Sequence, residues 1–388
     1  MTTNKRLGDY IQEIDVRNRD LSVTTLLGVS VNKEFIPSIA NTIGTDMSTY
    51  KIIKNRQFVY IADTSRRGDK IAIALLEKHD IAIISQAYTV FEIKDTNKLL
   101  PEYLMMWFRR PEFDRYARFH SHGSAREIFD WDEMCDVSLP IPPIERQREI
   151  VAEYETLSKR IRLNEQMISK LEETAQTLYR KMFVDGIDKE NLPEGWRIGK
   201  LGEICSKIGS GSTPKGGKDS YTNSGISLIR SMNVFDFNFC YDELAHISNA
   251  QATLLDGVTI QEKDILFNIT GASVARCCMV PNNVLPARVN QHVMIIRSKH
   301  DFMSYYLLCT LCTDETKRSL LGMSQSGSTR EAITKTDIES FNIAIPPKEM
   351  LKDFASQADI IFSYTDIYKQ ENSKLTELQS LLLARMGR

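Results

Sequence analysis

The sequence predicts a mixed α/β (α+β) protein in which two long antiparallel coiled-coil helices join and separate two globular domains. One signature occurs twice in the 388 residues, as Gly-Ser-Ala-Arg-Glu at 123–127 and Gly-Ser-Thr-Arg-Glu at 327–331, a spacing of 204 (327 − 123). Each copy leads without a gap into Ile-Pro-Pro and a long helical pattern, and short β-branched runs precede both copies. This period indicates a whole module made twice, because solenoid repeats run roughly 20 to 50 residues.

Residues 1–143 are predicted to form the first globular domain and residues 187–345 the second. Short β-branched runs predict strands in both domains, at 58–61, 81–84, 264–267 and 292–296. Helical stretches surround these strands, notably at 103–118 and 302–320. Between the motifs that they share, the sequences of the two domains differ strongly. We therefore expect two domains of similar fold with different residues between these motifs.

Residues 144–186 and 346–388 are predicted to form the two long helices. From Ile150 to Met182 the apolar positions step by four and three, which is typical of a coiled-coil seam, and the second helix repeats this phase. Proline pairs directly before both helices support the boundaries, because a proline at a helix start loses no hydrogen bond. Each helix of about 33 residues would be roughly 50 Å long.

A single stripe of this kind is equally typical of an amphipathic helix that lies on a globular core. Two stripes in one phase favour packing of the helices on each other. In a fully overlapping antiparallel pair, Asn164 would lie level with Asn372. We expect such paired asparagines to fix the register of the helices at some cost in stability.

The composition limits the class of protein. The chain has 49 Lys and Arg against 51 Asp and Glu, so its net charge gives no reason to expect a nucleic-acid ligand. Seven cysteines without a signal peptide or a regular spacing indicate a reducing compartment, and we expect them to be small core residues. No uncharged apolar run approaches the roughly 20 residues of a membrane span, so a cytoplasmic protein with no membrane partner is expected.

Motifs for catalysis or metal binding are not found. The glycine-rich stretch 209–217 lacks P-loop spacing, which leaves a surface turn and a phosphate-binding loop with Lys215 as alternatives. Cys309 and Cys312 form a Cys-x-x-Cys pair without a second ligand pair, so no metal site is predicted. The chain also lacks the His-Glu-x-x-His, Gly-x-Ser-x-Gly and Asn-Pro-Pro-Tyr/Phe signatures.

Basic residues cluster within both domains, whereas the long helices are nearly neutral. Charged runs are usually solvated faces, but here the domains are where a DNA-facing patch could be built. Phosphate contacts would then supply affinity, while Arg, Asn and Gln side chains would read base edges.

Several stretches closely resemble the specificity (S) subunit of type I restriction-modification enzymes, and the resemblance covers essentially the whole chain. Besides the repeated module they are 192–196, 201–204, 211–214, 227–230, 264–271 and Asn290-Gln291. The resemblance implies two target recognition domains, each reading half of a bipartite, asymmetric site in double-stranded DNA, with the helices as a ruler between them. It also implies docking of two modification (methyltransferase) subunits and, through them, of restriction (translocase and endonuclease) subunits.

A specificity subunit of this kind is not an enzyme, and the resemblance implies that this chain binds no cofactor itself. S-adenosylmethionine, ATP and magnesium are expected in the partner subunits. The family's Glu-Gln after the prolines is kept loosely at 145–147 and lost at 349–351, which implies that the second helix holds its modification subunit differently.

The resemblance also assigns candidate DNA-binding residues by their positions in the motifs. In the second domain these are Thr213, Asn268, Thr270, Ser273, Asn290, Gln291, Ser328 and Arg330, and Lys215 joins them as the candidate phosphate contact of the glycine-rich loop. In the first domain, whose central part departs from the family pattern, the nearest equivalents are Thr64, Ser65, Arg66, Arg67, Gln86, Ser124 and Arg126.

Two other functions compete with DNA recognition. A coiled-coil assembly scaffold with degenerate domains would share the fold without reading DNA, and neighbouring genes for a methyltransferase and a Walker-motif protein would argue against it. A free-standing enzyme is disfavoured by the missing motifs. If the helices form a rigid ruler of roughly 50 Å, we expect the two domains to lie about one DNA turn or slightly more apart, since a turn spans about 34 to 36 Å.

Overall fold

The computed structural model describes residues 4–38, 44–64, 68, 70–123, 127–188, 190–325 and 332–387. The chain divides into two compact units, residues 1–163 with 371–388 and residues 164–370. Each long helix contributes one part to each unit.

The first unit is built from short strands that pack against helices. Its strands are β1 (Asn4–Arg6), β2 (Ile11–Ile14), β3 (Leu27–Val29), β4 (Phe35–Pro37), β5 (Lys51–Lys54), β6 (Phe58–Tyr60), β7 (Ile73–Leu75), β8 (Ile81–Ile84), β9 (Thr89–Ile93) and β10 (Ser138–Pro140). Its helices are α1 (Pro101–Phe108), α2 (Pro111–Phe119), α3 (Trp131–Asp136) and the first part of α4 (Ile144–Phe183).

An aromatic core fixes α1 on the main sheet of the first unit. The strands of this antiparallel sheet lie in the order β2-β9-β6-β7, and Phe58 of β6 faces Phe91 of β9. The rings of these two residues stack with centroids 4.8 Å apart, and Phe108 of α1 meets Phe58 edge-on at 5.8 Å. Aromatic pairs in these geometries add about 0.5–1.5 kcal/mol beyond the area that they bury.

The second unit has the same kinds of elements. Its strands are β11 (Arg197–Lys200), β12 (Cys205–Ser210), β13 (Tyr221–Thr222), β14 (Ile226–Ile229), β15 (Val234–Phe235), β16 (Asn238–Phe239), β17 (Ala245–Ile247), β18 (Ile265–Asn268), β19 (Cys277–Met279), β20 (Ala287–Val289), β21 (Val293–Ser298) and β22 (Asn342–Ile345). Its helices are α5 (Leu201–Ile204), α6 (Asn249–Leu254), α7 (Ser304–Cys312), α8 (Asp314–Gln325), α9 (Lys335–Ser340) and the first part of α10 (Lys348–Arg385).

The internal repeat is visible in the order of the elements. The sheet β12-β21-β18-β19 of the second unit has the same connectivity as β2-β9-β6-β7 of the first. The starts of α3 and α9 lie 204 residues apart (335 − 131), as do those of α4 and α10 (348 − 144). The predicted mixed α/β class and the duplicated module are therefore confirmed.

The two long helices pack on each other in opposite directions within each unit. In the first unit the contacts pair Ser158 with Gln379 and Arg160 with Glu371. In the second unit they pair Glu172 with Lys369 and Phe183 with Phe354. Within the described residues, neither these helices nor any other combines the length and apolar character needed to cross a membrane.

The predicted pairing of the two seam asparagines is not tested by either unit. Asn372 belongs to the first unit, where its Nδ2 donates a hydrogen bond to the backbone oxygen of Ile161 at 3.4 Å. Asn164 belongs to the second unit. The pairing stays a prediction, and so do the four domain boundaries.

Two of the predicted helical stretches are each divided into two helices. The stretch 103–118 breaks before Pro111, because a proline disfavours helical geometry in the residue that precedes it. The stretch 302–320 breaks at Thr313, whose hydroxyl accepts a hydrogen bond from the backbone nitrogen of Thr316 at 3.2 Å and so caps the second helix.

Candidate nucleic-acid interface

A concave surface of the second unit is lined by two of the predicted DNA-binding residues. It encloses about 730 Å³ and is lined by Ser231, Met232, Phe235, Cys240, Asp242, Glu243, Thr270, Gly271, Ala272, Ser273, Arg276 and His292. We call this surface the Thr270 groove. The predicted residues Thr270 and Ser273 lie in it because β18 ends at Asn268 and the short helical turn Gly271–Ser273 follows directly.

Asn268 supports the wall of the Thr270 groove. This residue is fully buried, and its Nδ2 donates hydrogen bonds to the backbone oxygens of Ser231 at 2.9 Å and Val234 at 3.3 Å. Ser231 lines the groove, so the Asn268 amide holds the wall in place. The expected contact of Asn268 with DNA does not fit this geometry, because its side chain is turned into the protein.

Hydrogen bonds lead from the glycine-rich loop into the Thr270 groove. The Thr213 hydroxyl donates to Gln291 Oε1, Gln291 Nε2 lies 3.1 Å from His292 Nε2, and His292 Nδ1 lies 2.8 Å from Thr270 Oγ1. We call these four residues the polar chain. With its proton on Nδ1, His292 accepts from Gln291 and donates to Thr270, so this tautomer satisfies both contacts. In this tautomer the Thr270 hydroxyl oxygen is the acceptor of its contact with His292.

Two residues of the family motifs, Asn290 and Gly211, position the members of the polar chain. Asn290 is buried, and its Oδ1 accepts a hydrogen bond from the backbone nitrogen of His292 at 3.1 Å. Gly211 donates its backbone N–H to Val293 at 2.9 Å, and a Cβ at this position would overlap the carbonyl oxygen of Val289. Only glycine therefore lets the loop lie against β20, where Thr213 reaches Gln291.

His292 was missed by the sequence reasoning. It lines the Thr270 groove and connects two predicted residues, Gln291 and Thr270. Its signal in the sequence was its position directly after the Asn290-Gln291 motif.

Lys215 lies on an exposed part of the glycine-rich loop. Gly216 and Gly217, which follow it, have left-handed φ values of 95° and 59°, so the chain turns sharply here. The backbone oxygen of Lys215 accepts a hydrogen bond from Gln251 at 3.0 Å. An exposed lysine on a fixed turn fits both alternatives, a phosphate contact and a surface turn.

The charges around the Thr270 groove are of both signs. Arg276 lies over the ring of Phe235, with 4.9 Å between its guanidinium carbon and the ring centroid, while Asp242 and Glu243 bring negative charge to the same surface. Other basic residues of the second unit form internal ion pairs: Arg288 with Asp256, Arg297 with Asp264, and Lys317 with Asp236. Arg276 thus supplies positive charge to the groove.

The first unit places its described candidates differently. Thr64 is 2% exposed, and its backbone nitrogen donates to the backbone oxygen of Glu127 at 3.0 Å, so a direct DNA contact does not fit. Gln86, which follows β8, is exposed. The remaining candidates of both units lie outside the described residues: Ser65, Arg66, Arg67, Ser124, Arg126, Ser328 and Arg330.

Strand pairing makes Asp63 the counterpart of Thr270. Asp63 forms an antiparallel bridge with Ile128, and Thr270 forms one with Ala332. Ile128 and Ala332 are themselves 204 residues apart (332 − 128), so Asp63 and Thr270 hold the same place in the two repeats. A carboxylate in the first unit therefore stands where the second unit has a hydroxyl.

Gln147, the residue kept from the family's Glu-Gln, is buried in the first unit. Its Oε1 accepts from the backbone nitrogen of Leu100 at 2.9 Å, and its Nε2 donates to the backbone oxygens of Lys98 and Pro142, both at 2.8 Å. Its counterpart Leu351 is also buried. This buried position therefore packs the start of each helix into its own unit, and the expected difference in docking stays a prediction.

Comparison with known proteins agrees with the duplicated architecture. The family model for the type I restriction modification DNA specificity domain matches residues 30–173 and again 193–378. The type I restriction enzyme MjaIX specificity subunit of Methanocaldococcus jannaschii is 23% identical over 377 residues, covering 87% of this chain and 84% of that subunit. The HindI specificity subunit of Haemophilus influenzae is 20% identical over 429 residues, covering 92% of each chain.

A solved structure shows the same fold. The crystal structure of the type I restriction-modification system S subunit from M. genitalium superposes with a TM-score of 0.63 at 12% identity, covering 100% of this chain and 96% of that chain. Two copies of one module, each packed with parts of two long helices, define a duplicated-domain protein. The chain belongs to the type I restriction modification DNA specificity family, because the family model matches most of its length. It is thus a non-catalytic specificity subunit, like the relatives that it matches.

Proposed function

We propose that this chain is the sequence-specific DNA-binding subunit of a type I restriction-modification complex and that it reads a bipartite, asymmetric site in double-stranded DNA. The observation that carries the proposal is the duplicated module. Its two copies share one sheet connectivity but present different side chains, such as Asp63 and Thr270, at equivalent positions. Two domains with one fold but different side chains at equivalent positions are suited to recognise two different half-sites.

The polar chain offers the groups that base reading requires. Gln291 and Thr213 are exposed, and an amide can both donate and accept hydrogen bonds at a base edge in the major groove. Arg276 and Lys215 would contact phosphates, which supplies affinity and fixes the register on the duplex. In this arrangement the second unit reads one half-site through the Thr270 groove and its loop.

Exposed apolar residues on α10 support docking of modification subunits. Ile360, Tyr364 and Ile367 are 60%, 53% and 56% exposed, and their spacing of four and three places them on one face of the helix. Leu378 and Leu381 are likewise exposed in the first unit. Apolar rows in water mark protein-binding surfaces. In our proposal two modification subunits bind the long helices, and restriction subunits join through them.

The chemistry of modification and cleavage is assigned to the partners. We propose that S-adenosylmethionine, ATP and magnesium are bound by the modification and restriction subunits and that this chain binds none of them. The complex would act in the cytoplasm, where it meets DNA.

Single-molecule sequencing for methyladenine tests this function. The sample is plasmid DNA from cells that express the chain together with its neighbouring modification subunit. We expect one bipartite motif, with two half-sites and a gap of fixed length. An unmethylated plasmid, in cells from which the complex with the modification subunit can be purified, would contradict DNA reading and favour an assembly scaffold.

A further inference from the structure

We propose that Asp236, Cys277 and Cys312 form a binding site for a thiophilic divalent cation such as Zn²⁺ in the second unit. The sulfur atoms of Cys277 and Cys312 lie 3.2 Å apart, and a carboxylate oxygen of Asp236 and both sulfurs all lie within 4.8 Å of one another. Thiolate sulfur and carboxylate oxygen are both ligands of zinc in proteins.

The site joins three elements that are distant in sequence. Asp236 follows β15, Cys277 begins β19, and Cys312 is the last residue of α7. The Asp236 carboxylate is held beside the sulfurs because its Oδ1 accepts a hydrogen bond from the backbone nitrogen of Cys277 at 3.2 Å. The Cys-x-x-Cys spacing gave no prediction of this site, since Cys312 meets Cys277 from another element.

The burial of the three residues leaves room for a fourth ligand. Cys277 is buried, Cys312 is half-buried, and the Asp236 side chain is 40% exposed. The site therefore opens toward solvent on the Asp236 side. Three protein ligands with one water complete a tetrahedral zinc coordination.

The geometry needs only a small adjustment to hold zinc. Two sulfurs bound to one zinc at about 2.3 Å each lie about 3.8 Å apart in a tetrahedron. The two sulfurs would thus separate by roughly 0.6 Å, which small rotations of the side chains provide.

The charges of the site also balance. Two thiolates and one carboxylate carry three negative charges, and the divalent cation offsets two of them. Lys317 offsets the third, because its Nζ lies 2.5 Å from Asp236 Oδ2. It thereby orients the carboxylate, as groups around metal ligands commonly do.

A bound cation would fix the wall of the Thr270 groove. Asp236 lies between Phe235, which lines the groove, and Phe237, whose ring stacks on Phe362 of α10 with centroids 6.3 Å apart. A cation that joins Asp236 to β19 and α7 would hold both aromatic residues in place. The proposal does not depend on DNA binding, so its test is independent of the proposed function.

Titration with Co²⁺ tests the site on the full-length chain, prepared without a tag, metal-free and reduced. We expect one equivalent of Co²⁺ to give thiolate-to-cobalt absorption, which Zn²⁺ then removes. Cys277→Ser and Cys312→Ser should abolish this absorption, and Asp236→Asn should weaken Co²⁺ binding at least tenfold. Cys278→Ser, on the opposite face of β19, and Cys309→Ser, one turn earlier on α7, are matched controls that should keep it.

Either of two results would overturn the proposal. One is the absence of thiolate absorption in the unsubstituted chain. The other is absorption that survives both Cys277→Ser and Cys312→Ser. Asp236→Asn guards against misfolding, because its side chain is partly exposed. Zn²⁺ should raise the thermal midpoint of the unsubstituted chain more than that of Asp236→Asn, since a ligand stabilises the state that binds it.

Discussion

His292 controls the orientation of an exposed side chain from a half-buried position. Its ring lies between Gln291 and Thr270, and the buried Asn290 fixes its backbone. A glutamine amide that is already oriented loses less conformational freedom when it meets a base than a free one does. His292 is therefore a positioning residue that would sharpen what Gln291 and Thr270 read.

His292→Ala should relax recognition of one half-site and leave the other unchanged. A well-placed pair of base contacts contributes about 1–3 kcal/mol of discrimination, which is roughly five- to 150-fold. The measurement is binding of the purified complex to a set of duplexes with single base changes. His300→Ala, an exposed histidine of the same unit, is the matched control. Loss of discrimination in both half-sites would mean that the substitution damages the fold and not the reading.

Motif position predicted which segments build the site but not which way each side chain points. Thr270 and Asn268 come from one motif, yet Thr270 lines the Thr270 groove while Asn268 is buried. The difference arises from the pairing of β18 with its neighbours, a long-range property that the spacing of residues in one segment does not contain.

The long helices were the most predictable elements because their signals are local and repeated. Seam periodicity and the preceding prolines predicted helices that the structure begins at Ile144 and Lys348. The breaks at Pro111 and Thr313 also have local causes, a proline and a capping hydroxyl, so the sequence contained them. The contact between Cys277 and Cys312 has no such local cause, because it depends on how α7 packs on the sheet.

Charged substitutions on the exposed faces of the long helices should remove modification subunits one at a time. Ile367 and Leu163 hold the same place in the two repeats, 204 residues apart (367 − 163), and both are exposed. A glutamate at either position would place a charge in an apolar contact, which is costly without a partner. Native mass spectrometry should show two modification subunits on the unsubstituted chain, one on Ile367→Glu or Leu163→Glu, and none on the double variant.

Arg148→Glu, an exposed position near the start of α4, serves as the control for added negative charge. It should keep two modification subunits. Two modification subunits on the double variant as well would place the docking surface elsewhere.

At the scale of the whole molecule, the two repeats agree at their ends and differ inside. The Leu-Gly pairs that start at Leu7 and Leu201, just before the main sheet of each unit, lie 194 residues apart (201 − 7), whereas α4 and α10 begin 204 residues apart. Ten extra residues therefore lie within the second unit, between landmarks that both units keep. The landmarks that both repeats share hold the sheet and the long helices. The residues between them can therefore differ in what they recognise while the fold stays the same.

If the helices act as a ruler, lengthening both should change the gap in the DNA site before it changes either half-site. Four residues inserted after Leu163 and four after Asn372 add about 6 Å to each helix. They also rotate the residues that follow by about 40° beyond one full turn around the helix axis. Since base pairs are 3.4 Å apart along the duplex, the gap should grow by one or two base pairs. Sequencing of methyladenine reads the gap and both half-sites at once. An insertion in one helix only should disturb the seam and abolish modification, because the partner helix would lose its register. A changed half-site with the original gap would refute the ruler.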